Sequence, residues 1–304
     1  MPRRNIFEET ERLSILRLLI ETYEGIAAMT IRRIRNSVLQ NREFYAGLAD
    51  LFAEIKSAYK EDVRSLMARR GIGQALADGA ASKSLSLIRR NGKTVYVLLS
   101  ANTGLYGELI GKTFAMFLKN IRWSDADCVI IGKMGRALFE AAMPQKKITY
   151  FDFPDTHISS AELGEITQHL HQYAHVVVFH GSFRSFIDQH PVLSRVSGEE
   201  RALGEAARAA VSYIFEPSLE DIMIFFESEI FASLLGQVFY ESRLAKVASR
   251  LMLLDRASLN VDAALRRSFL KQRQAQRQLA NKKQINALSG VALWGTPTKS
   301  LIKS

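Results

Sequence analysis

The chain has 304 residues, of which 47% are hydrophobic and 24% are charged, a composition typical of globular proteins. No uninterrupted apolar run approaches the roughly 20 residues of a membrane-spanning helix, and acids follow Arg3 and Arg4 where a signal peptide would be apolar, so we expect neither. The single cysteine, Cys128, excludes an intrachain disulfide, and its apolar neighbours predict a small buried residue in a strand.

The formal net charge of +10 is concentrated near the end of the chain. From Ala263 onward there is no acidic residue, but there are nine cations, nearly the whole excess. They are Arg266, Arg267, Lys271, Arg273, Arg277, Lys282, Lys283, Lys299 and Lys303. We therefore expect the partner of this basic charge to meet the C-terminal segment.

The first sixty residues are predicted to form one long helix, because apolar residues recur at alternating steps of three and four and no proline lies between Pro2 and Pro144. The predicted seam is Leu13, Leu16, Ile20, Tyr23, Ala27, Ile31, Ile34, Val38, Asn41, Tyr45, Leu48, Phe52, Ile55 and Tyr59. An extra four-residue step at Ala27 to Ile31 is a stutter. Such a helix would reach roughly 70 Å, so it needs a helical partner.

A second long helix is predicted from Leu219 to about Leu293, where proline is again absent. Ser218 is a good N-cap, and the acids that follow it favour the first helical turn. The predicted seam is Leu234, Val238, Ala245, Ser249, Met252, Leu259, Ala263 and Leu270. Two such helices at opposite ends of one chain can form an antiparallel coiled coil.

The middle of the chain alternates between strand and helix patterns, which predicts a Rossmann-like α/β domain with a mostly parallel sheet. Strands are predicted at Thr94–Ser100, Cys128–Ile131, Ile148–Phe153, His175–Phe179 and Val211–Phe215, and helices at Glu108–Lys119, Gly135–Ala142 and Ala161–Tyr173. A segment rich in Gly, Ala and Ser, Gly71–Ser86, is predicted to be a linker. The predicted divisions are 1–70 and 217–293 for the coiled-coil helices, 71–216 for the α/β domain and 294–304 for a tail.

No cofactor is expected in the α/β domain. The segment Gly107–Thr113 resembles a phosphate-binding loop, but only three residues separate its glycines, and Tyr106 stands where the first glycine of that loop belongs. The dinucleotide fingerprint of three spaced glycines is also absent. The sequence therefore gives no reason to place a nucleotide here.

The six histidines all fall between His157 and His190, but they do not form a recognised metal-ligand pattern. Only His171 and His175 have the spacing that places two side chains on one helical face. Ser182 follows a glycine but lacks the second glycine of a nucleophile elbow. We interpret these residues as structural and expect neither a metal nor a catalytic residue.

The basic C-terminal helix leaves open an alternative, a coiled-coil protein that binds nucleic acid with this end. Against it, only Phe269 and Trp294 could stack on bases there, and the segment Gln272–Gln284 is helical in composition. A helix that is polar on all sides is usually paired, bridging or enclosed.

Several short blocks resemble, in the correct order, the gamma subunit of F-type ATP synthases. Glu24–Arg33 is similar to a block of the family's first helix, and Ser100–Gly107 is similar to its Ser-x-Asp-Arg-Gly-Leu-Cys-Gly turn. Gly132–Gly135 resembles its Gly-Ser/Lys-Lys-Gly, and Tyr213–Pro217 the Tyr-x-Tyr/Phe-Glu-Pro that opens the C-terminal helix. The spacing of Ser249-Arg250-Leu251-Met252, Asn260, Gln276 and Ser289-Gly290 is also kept.

The resemblance implies a non-catalytic rotor shaft that couples rotation of a membrane ring to ATP synthesis or hydrolysis in a catalytic head. Its implied partners are the alpha- and beta-type head subunits, an epsilon-type subunit and the membrane c-ring. The implied location is the cytoplasmic face of a bacterial membrane, with protons or sodium ions as the coupling ion.

Contact residues follow from charge and from the resemblance. We hypothesise from their charge that Arg32, Arg33, Arg266, Arg267, Lys282 and Lys283 face acidic groups of the catalytic ring, and the resemblance places Asn281 at the same contact. The lever of the catalytic subunit would lie near Gly104, Leu105, Tyr106 and Gly107. The membrane rotor would be met by Tyr213, Phe215 and Glu216.

Three departures from the family pattern mark this chain as divergent. Glu21 and Thr30 stand where the family's first helix carries lysines. The C-terminal Thr-Gln-Glu of the family falls on Asn281-Lys282-Lys283, so an acid is replaced by a base. The chain also continues about ten residues past the usual end, from Trp294 to Ser304. A specialised hydrolase of the same class is therefore also possible.

Overall fold

The computed structural model describes residues 2–59, 62, 65, 66, 88, 90–196 and 216–294. The chain divides into two compact units. The terminal unit contains Met1–Ile26 and Leu254–Ser304, and the central unit contains Ala27–Leu253. The predicted linker at Gly71–Ser86 and the predicted strand at Val211–Phe215 lie outside the described residues.

Two long helices carry the chain's ends, as predicted. Helix α1 covers Pro2–Ala58 and helix α5 covers Leu219–Trp294. The Ser218 hydroxyl accepts a hydrogen bond from the Asp221 amide at 3.1 Å, which confirms the predicted N-cap. The Ser218 hydroxyl also donates to the Asp221 carboxylate, so it bonds to both the backbone and the side chain of Asp221.

Between the long helices, the residues that the structure describes form five strands and three shorter helices. Along the chain they are β1 (Thr94–Leu99), α2 (Leu109–Ile121), β2 (Asp127–Ile131), α3 (Lys133–Ala142), β3 (Thr149–Phe151), α4 (Ser160–His171), β4 (His175–Phe183) and β5 (Gln189–Arg195). The strand order is β3-β2-β1-β4-β5. The first four strands are mutually parallel, and β5 runs antiparallel to β4. The mostly parallel sheet was predicted.

Both faces of the sheet are covered by helices, which explains why the inner strands are apolar throughout. On one face, Phe117 of α2 and Phe139 of α3 pack against Leu98 and Phe179. On the other face, residues of α4 and α5, including Leu235, pack on the opposite side chains of the same strands. Cys128 is buried within β2, as predicted.

Strand β5 was not predicted. Its run Gln189–Arg195 contains Pro191, which normally argues against a strand because proline donates no backbone hydrogen bond. The strand lies at an edge of the sheet, where a missing donor is tolerated.

Within the central unit, α1 and α5 run antiparallel with an apolar seam. Ala27, Ile31, Ile34 and Val38 pack with Leu244 and Val247. Further along α1, Phe52 and Ile55 pack with Met223, Phe226 and Ile230 of α5. Between the two clusters, the Asn41 side chain donates to the Ser233 carbonyl at 3.1 Å.

The terminal unit has its own antiparallel seam, which contains fewer buried apolar residues and is partly polar. Ile20 packs with Leu254, Val261 and Leu265. Beyond them the seam is polar, since the Thr10 and Ser268 hydroxyls are 2.7 Å apart and the Gln272 amide donates to Thr10 at 2.6 Å. The coiled-coil packing predicted for the two ends is therefore present in each unit.

Four predicted seam residues were wrong. Leu16, Tyr23, Leu259 and Leu270 are 44 to 64% exposed. Along α5 the buried positions of the terminal unit are instead Leu254, Val261, Leu265 and Ser268. A prediction that follows the large apolar residues misses a seam in which a small serine takes a buried position.

Helix α5 is long and apolar enough between Leu219 and Gly290 to cross a membrane by length and composition alone. A core helix of a globular protein has the same composition, and 44% of its most apolar window is buried in the protein. Packing of Phe231, Leu235 and Phe239 on the sheet accounts for much of this apolar character.

Candidate functional site

Lys246 of α5 forms a buried ion pair at the carboxyl end of the parallel strands. Its ammonium donates to the Ser100 carbonyl at 2.8 Å and lies 3.5 Å from an Asp155 carboxylate oxygen. The two side chains are only 9% and 6% exposed. Burial lowers the pKa of Lys246, and the nearby Asp155 carboxylate opposes this shift.

The second carboxylate oxygen of Asp155 is held by the turn that follows β1. It accepts hydrogen bonds from the backbone amides of Asn102 and Thr103 at 2.9 and 2.8 Å, and from the Thr103 hydroxyl at 2.9 Å. Burial alone would raise the pKa of Asp155, but Lys246 and these donors outweigh it and lower the pKa below its ordinary value. Asp155 is therefore an ionised structural anchor and not a proton donor.

The next residues of α5 hold the turn itself. The Arg250 guanidinium donates to the Thr103 hydroxyl at 3.0 Å and to the Gly104 carbonyl at 3.1 Å, and it lies 4.4 Å from the centre of the Tyr106 ring. The Ser249 hydroxyl donates to the Tyr106 carbonyl at 2.7 Å. Two adjacent residues of α5 therefore bind three residues of the turn.

Glycine is required at the end of this turn. Gly107 has a φ of +54°, in the left-handed region, and a Cβ atom there would lie 3.3 Å from the Ser249 hydroxyl. Leu105 also has a positive φ, of 68°, although it is not a glycine. Such a conformation costs free energy and persists where the surrounding contacts hold it, as those of Ser249 and Arg250 do here.

The Asn102 side chain links the segments that follow β1, β2 and β3. Its side-chain oxygen accepts from the Lys133 amide at 2.8 Å and so caps α3, while its NH₂ group donates to the Phe153 carbonyl at 3.0 Å and to Asp152. In a dinucleotide-binding domain this edge of the sheet receives the ligand. Here the backbone groups of Lys133, Phe153 and Ser100 at this edge are bonded to Asn102 and Lys246.

We call Asn102, Thr103, Tyr106, Asp155, Lys246, Ser249 and Arg250 the joint. The joint connects α5 to the turn after β1 and to the loop after β3. Arg243, one turn before Lys246, extends it by donating to the Thr156 carbonyl. Lys246 and Asp155 are buried and paired with each other, and the half-buried Arg250 bonds to the turn, so the arrangement is suited to rigid attachment and not to acid–base chemistry.

The turn predicted to lie near the lever overlaps the joint. Of the predicted lever residues, Gly104, Leu105 and Gly107 are exposed, whereas the Tyr106 side chain is 4% exposed and lies inside the joint. Sequence reasoning missed Lys246 and Asp155. The available signal was a lysine within Leu244–Ala248, a run in which the neighbouring residues are apolar.

All residues predicted to meet a catalytic ring are exposed: Arg32, Arg33, Arg266, Arg267, Asn281, Lys282 and Lys283. Arg32 and Arg33 belong to the central unit and the others to the terminal unit. Of the residues predicted to meet a membrane rotor, Glu216 is exposed, and Tyr213 and Phe215 lie outside the described residues.

The histidines do not converge. His171 ends α4 and His175 begins β4, so these two histidines do not share a helical face. His180 is buried, with its Nε2 atom 2.9 Å from the Ser194 hydroxyl. Among the described residues, no group of three or more His, Cys, Asp and Glu side chains could hold a metal ion.

The remaining reactive side chains have structural partners. Burial raises the pKa of the Cys128 thiol to about 11, which keeps it protonated and unreactive at neutral pH. The Ser182 hydroxyl donates to the Glu241 carboxylate of α5, which gives it a structural role.

Comparison with known proteins decides the family. A family model described as ATP synthase matches residues 10–285, most of the chain. The chain belongs to the ATP synthase gamma family. It is 21% identical over 282 residues to the ATP synthase gamma chain of Pelotomaculum thermopropionicum and 18% identical over 293 residues to that of Desulforudis audaxviator. Each alignment covers 90% of this chain and 92% of the relative.

The fold is also similar to a chain from the central stalk and c-ring structure of the Tetrahymena thermophila mitochondrial ATP synthase. The TM-score is 0.51 at 14% sequence identity, and the match covers 79% of this chain and 99% of the other. The predicted family, fold class and role as a gamma-type rotor shaft are thereby confirmed. As a gamma subunit the chain is a non-catalytic part of a membrane-associated complex.

Proposed function

We propose that this gamma subunit turns as the central shaft of a bacterial F-type ATP synthase or ATPase, and that the joint is the element that carries torque between its α/β domain and α5. The observation that carries the proposal is the Lys246–Asp155 pair, buried together with the hydrogen bonds of Ser249 and Arg250 to the turn after β1. A shaft must not slip against the domain that drives it.

The joint resists such slipping because its contacts point in different directions. Lys246 holds the end of β1 and the loop after β3, while Arg250 and Ser249 hold the turn after β1. Sliding of α5 along the sheet would separate a buried charge from its partner, which is strongly unfavourable. Apolar packing of Phe231, Leu235 and Phe239 on the sheet adds to this attachment.

In this proposal the exposed cations of the shaft meet the catalytic head. Arg32, Arg33, Arg266, Arg267, Lys282 and Lys283, with Asn281, would face acidic groups of the alpha- and beta-type subunits. Exposed ion pairs contribute only about 0–1 kcal/mol each, so many of them can form and break as the shaft turns. Positive charge without nearby acids also steers the segment toward acidic partners.

The other contacts follow the same scheme. Gly104, Leu105, Tyr106 and Gly107 would lie near the lever of the catalytic subunit, with Leu105 as the exposed side chain of that turn. Tyr213, Phe215 and Glu216 would meet the c-ring, and an epsilon-type subunit would bind beside them.

The complex would lie at the cytoplasmic face of the membrane and be driven by protons or sodium ions. The domains would be 1–70 and 217–293 for the coiled-coil helices, 71–216 for the α/β domain and 294–304 for the tail.

Affinity purification of the full chain from its native cell tests the shaft function. We expect alpha-, beta- and epsilon-type subunits and the c-ring to be recovered with it. Recovery of DNA or RNA that is lost at high salt, without ATPase subunits, would instead favour the nucleic-acid-binding alternative.

The role of the joint has a separate test in vesicles that contain the whole complex. Arg250→Ala removes the contacts to Thr103, Gly104 and Tyr106, and we expect ion-driven ATP synthesis to fall more than ATP hydrolysis, because torque is lost between ring and head. Arg256→Ala, an exposed residue on the same helix, is the matched control and should leave both rates unchanged. Equal behaviour of the two variants would contradict the assignment of torque to the joint.

A further inference from the structure

Contacts of α5 with the sheet show which ends of the parallel strands lie beside the first turns of this helix. Phe231 contacts the ring of His171, just before β4, with ring centres 5.3 Å apart. Phe239 contacts Phe153, just after β3, at 4.8 Å, and Lys246 reaches the end of β1. Helix α5 therefore runs in the direction of the parallel strands, and its first turns lie on the side of their amino ends.

At this amino-terminal side, the loop between α2 and β2 presents an unusual side chain. Trp123 is 92% exposed. Lys119 and Arg122 on the same stretch are exposed, and so is Lys147 in the loop before β3. None of these four side chains makes a hydrogen bond or ion pair with any part of the chain that the structure describes. We call these four residues the basic edge.

The two loops of the basic edge are fixed to one another. The Lys146 ammonium donates to the Ile121 carbonyl at 3.4 Å and to the Ser124 carbonyl at 3.2 Å, which joins the loop before β3 to the loop before β2. Basic residues outnumber the acidic ones at this surface. Asp125 is an exposed carboxylate of the loop, and Asp127 lies 3.9 Å from Lys93.

The chemistry of the basic edge fits a lipid headgroup layer. Tryptophan is enriched where protein meets the membrane interface, because its ring is apolar and its N–H is polar. Unpaired lysine and arginine side chains beside it attract anionic phosphates. A protein partner or a nucleic acid normally buries a wider surface, with several aromatic anchors or stacking rings, than this single exposed tryptophan offers.

We infer that the basic edge binds the anionic headgroups of the membrane. Its orientation toward the bilayer rests on the proposed shaft function, which places the beginning of α5 near the membrane rotor. Its affinity for headgroups depends only on Lys119, Arg122, Trp123 and Lys147. The contact would hold the subunit at the membrane surface before or after it joins the ring.

The test uses the full chain with Trp294→Phe, so that Trp123 is the remaining tryptophan. Vesicles of phosphatidylcholine with and without phosphatidylglycerol are added, and tryptophan emission is recorded. We expect emission to shift to the blue, and brominated lipid to quench it, only when phosphatidylglycerol is present. An unchanged Trp123 spectrum in vesicles that do bind the chain would overturn the inference, because another surface would then be responsible.

A charge-matched pair of variants sharpens this test. The triple variant Lys119→Ala, Arg122→Ala, Lys147→Ala should weaken vesicle binding by about 100-fold, since each basic residue at an anionic surface contributes about fivefold. The triple variant Arg266→Ala, Arg267→Ala, Lys271→Ala removes the same charge elsewhere and should have a much smaller effect. Equal losses would show a non-specific effect of net charge and would contradict the basic edge.

Two further outcomes separate this inference from the shaft function. A spectral response of Trp123 to purified catalytic head, without any response to vesicles, would replace the lipid by a protein partner. A chain that binds vesicles through Trp123 but recovers no ATPase subunits would refute the shaft function and leave the lipid contact standing. The circular dichroism of the two triple variants should match that of the parent, because the substituted lysine and arginine side chains are exposed.

Discussion

The two parts of helix α5 have very different surroundings. In the central unit, between Leu219 and Leu253, Asp221 and Phe225 are the exposed residues and the others are at least partly buried. In the terminal unit, the buried positions are Leu254, Val261, Leu265 and Ser268, and every residue from Ala280 to Gly290 is exposed. One part is therefore fixed in place by a core, and the other leaves most of its side chains exposed.

This difference is what the proposed function requires of one helix. In its first part, the sequence supplies apolar residues on most sides and a buried ion pair. In its second part, where we propose that it meets other subunits, the sequence supplies cations, glutamines and few buried apolar residues. Substitutions should accordingly affect stability in the first part and interactions in the second.

Removing one partner of the buried ion pair should have the largest effect. Asp155→Ala leaves the Lys246 charge buried without its carboxylate, and we expect a loss of about 3–5 kcal/mol in the free energy of unfolding, measured by urea denaturation. The double variant Asp155→Leu, Lys246→Met should recover most of that loss, because it removes both charges. A single-variant loss below about 1 kcal/mol, typical of an exposed pair, would contradict the buried assignment.

The pH dependence of stability gives an independent control for this pair. Because the pKa of Asp155 is lowered in the folded state, its stabilising contribution is fully present above the ordinary pKa of 3.8 and is lost as the pH falls through the lower folded pKa. The difference in stability between the parent and Asp155→Asn should therefore shrink below pH 3.8. A constant difference across that range would contradict a lowered pKa.

The same substitution in the two parts of α5 compares them directly. Leu235→Ala opens a cavity at a position that is 0% exposed and should cost about 2–5 kcal/mol. Leu288→Ala, at a position that is 70% exposed, should change stability by no more than about 0.5 kcal/mol. Thermal or urea unfolding of both variants measures the difference, and similar losses would mean that the second part is covered within the subunit.

The polar part of the terminal seam should have an intermediate effect. Thr10→Val removes the hydroxyl that contacts Ser268 and Gln272, and we expect a loss of about 1–3 kcal/mol in the stability of this unit. Hydrogen exchange of amides near Ser268 would report the loss locally. Thr22→Val is a suitable control, because the Thr22 hydroxyl is exposed and bonds only to the Leu18 carbonyl of its own helix. Equal protection in both variants would exclude a role of the polar contacts in the seam.

The smallest effects are expected at the exposed cations. Lys282→Ala or Arg266→Ala should lower the ATP hydrolysis rate of the assembled complex by less than about fivefold, because an exposed pair contributes about 0–1 kcal/mol. Neither change should alter the stability of the isolated chain. Loss of all activity from one such substitution would show that a single contact, and not a distributed surface, drives the shaft.

The sequence was sufficient for the long helices and for the parallel core of the sheet. Strand β1 and strand β2 were found because strands covered on both faces are apolar throughout, and α5 was found because its cap and the absence of proline mark its beginning and length. The seam positions of the terminal unit were not found, because Ser268 is small and polar while exposed leucines such as Leu259 and Leu270 suggest another register.

The joint was only partly predictable, for a physical reason. The glycine turn is visible in the sequence because it needs particular backbone conformations. The Lys246–Asp155 pair joins residues that are 91 positions apart, and the attraction between them depends on the fold that buries both. A lysine in an apolar run signals a buried charge, but it does not identify the carboxylate that neutralises it.

The edges of the sheet have a consequence for the subunit before assembly. At one edge, β3 contains only three residues, and at the other, β5 contains Pro191, which lacks a backbone donor. Short or proline-containing border strands offer a poor template for pairing with another chain. A newly made shaft that waits for its ring would therefore resist aggregation through its sheet, and its long helices would remain available for correct assembly.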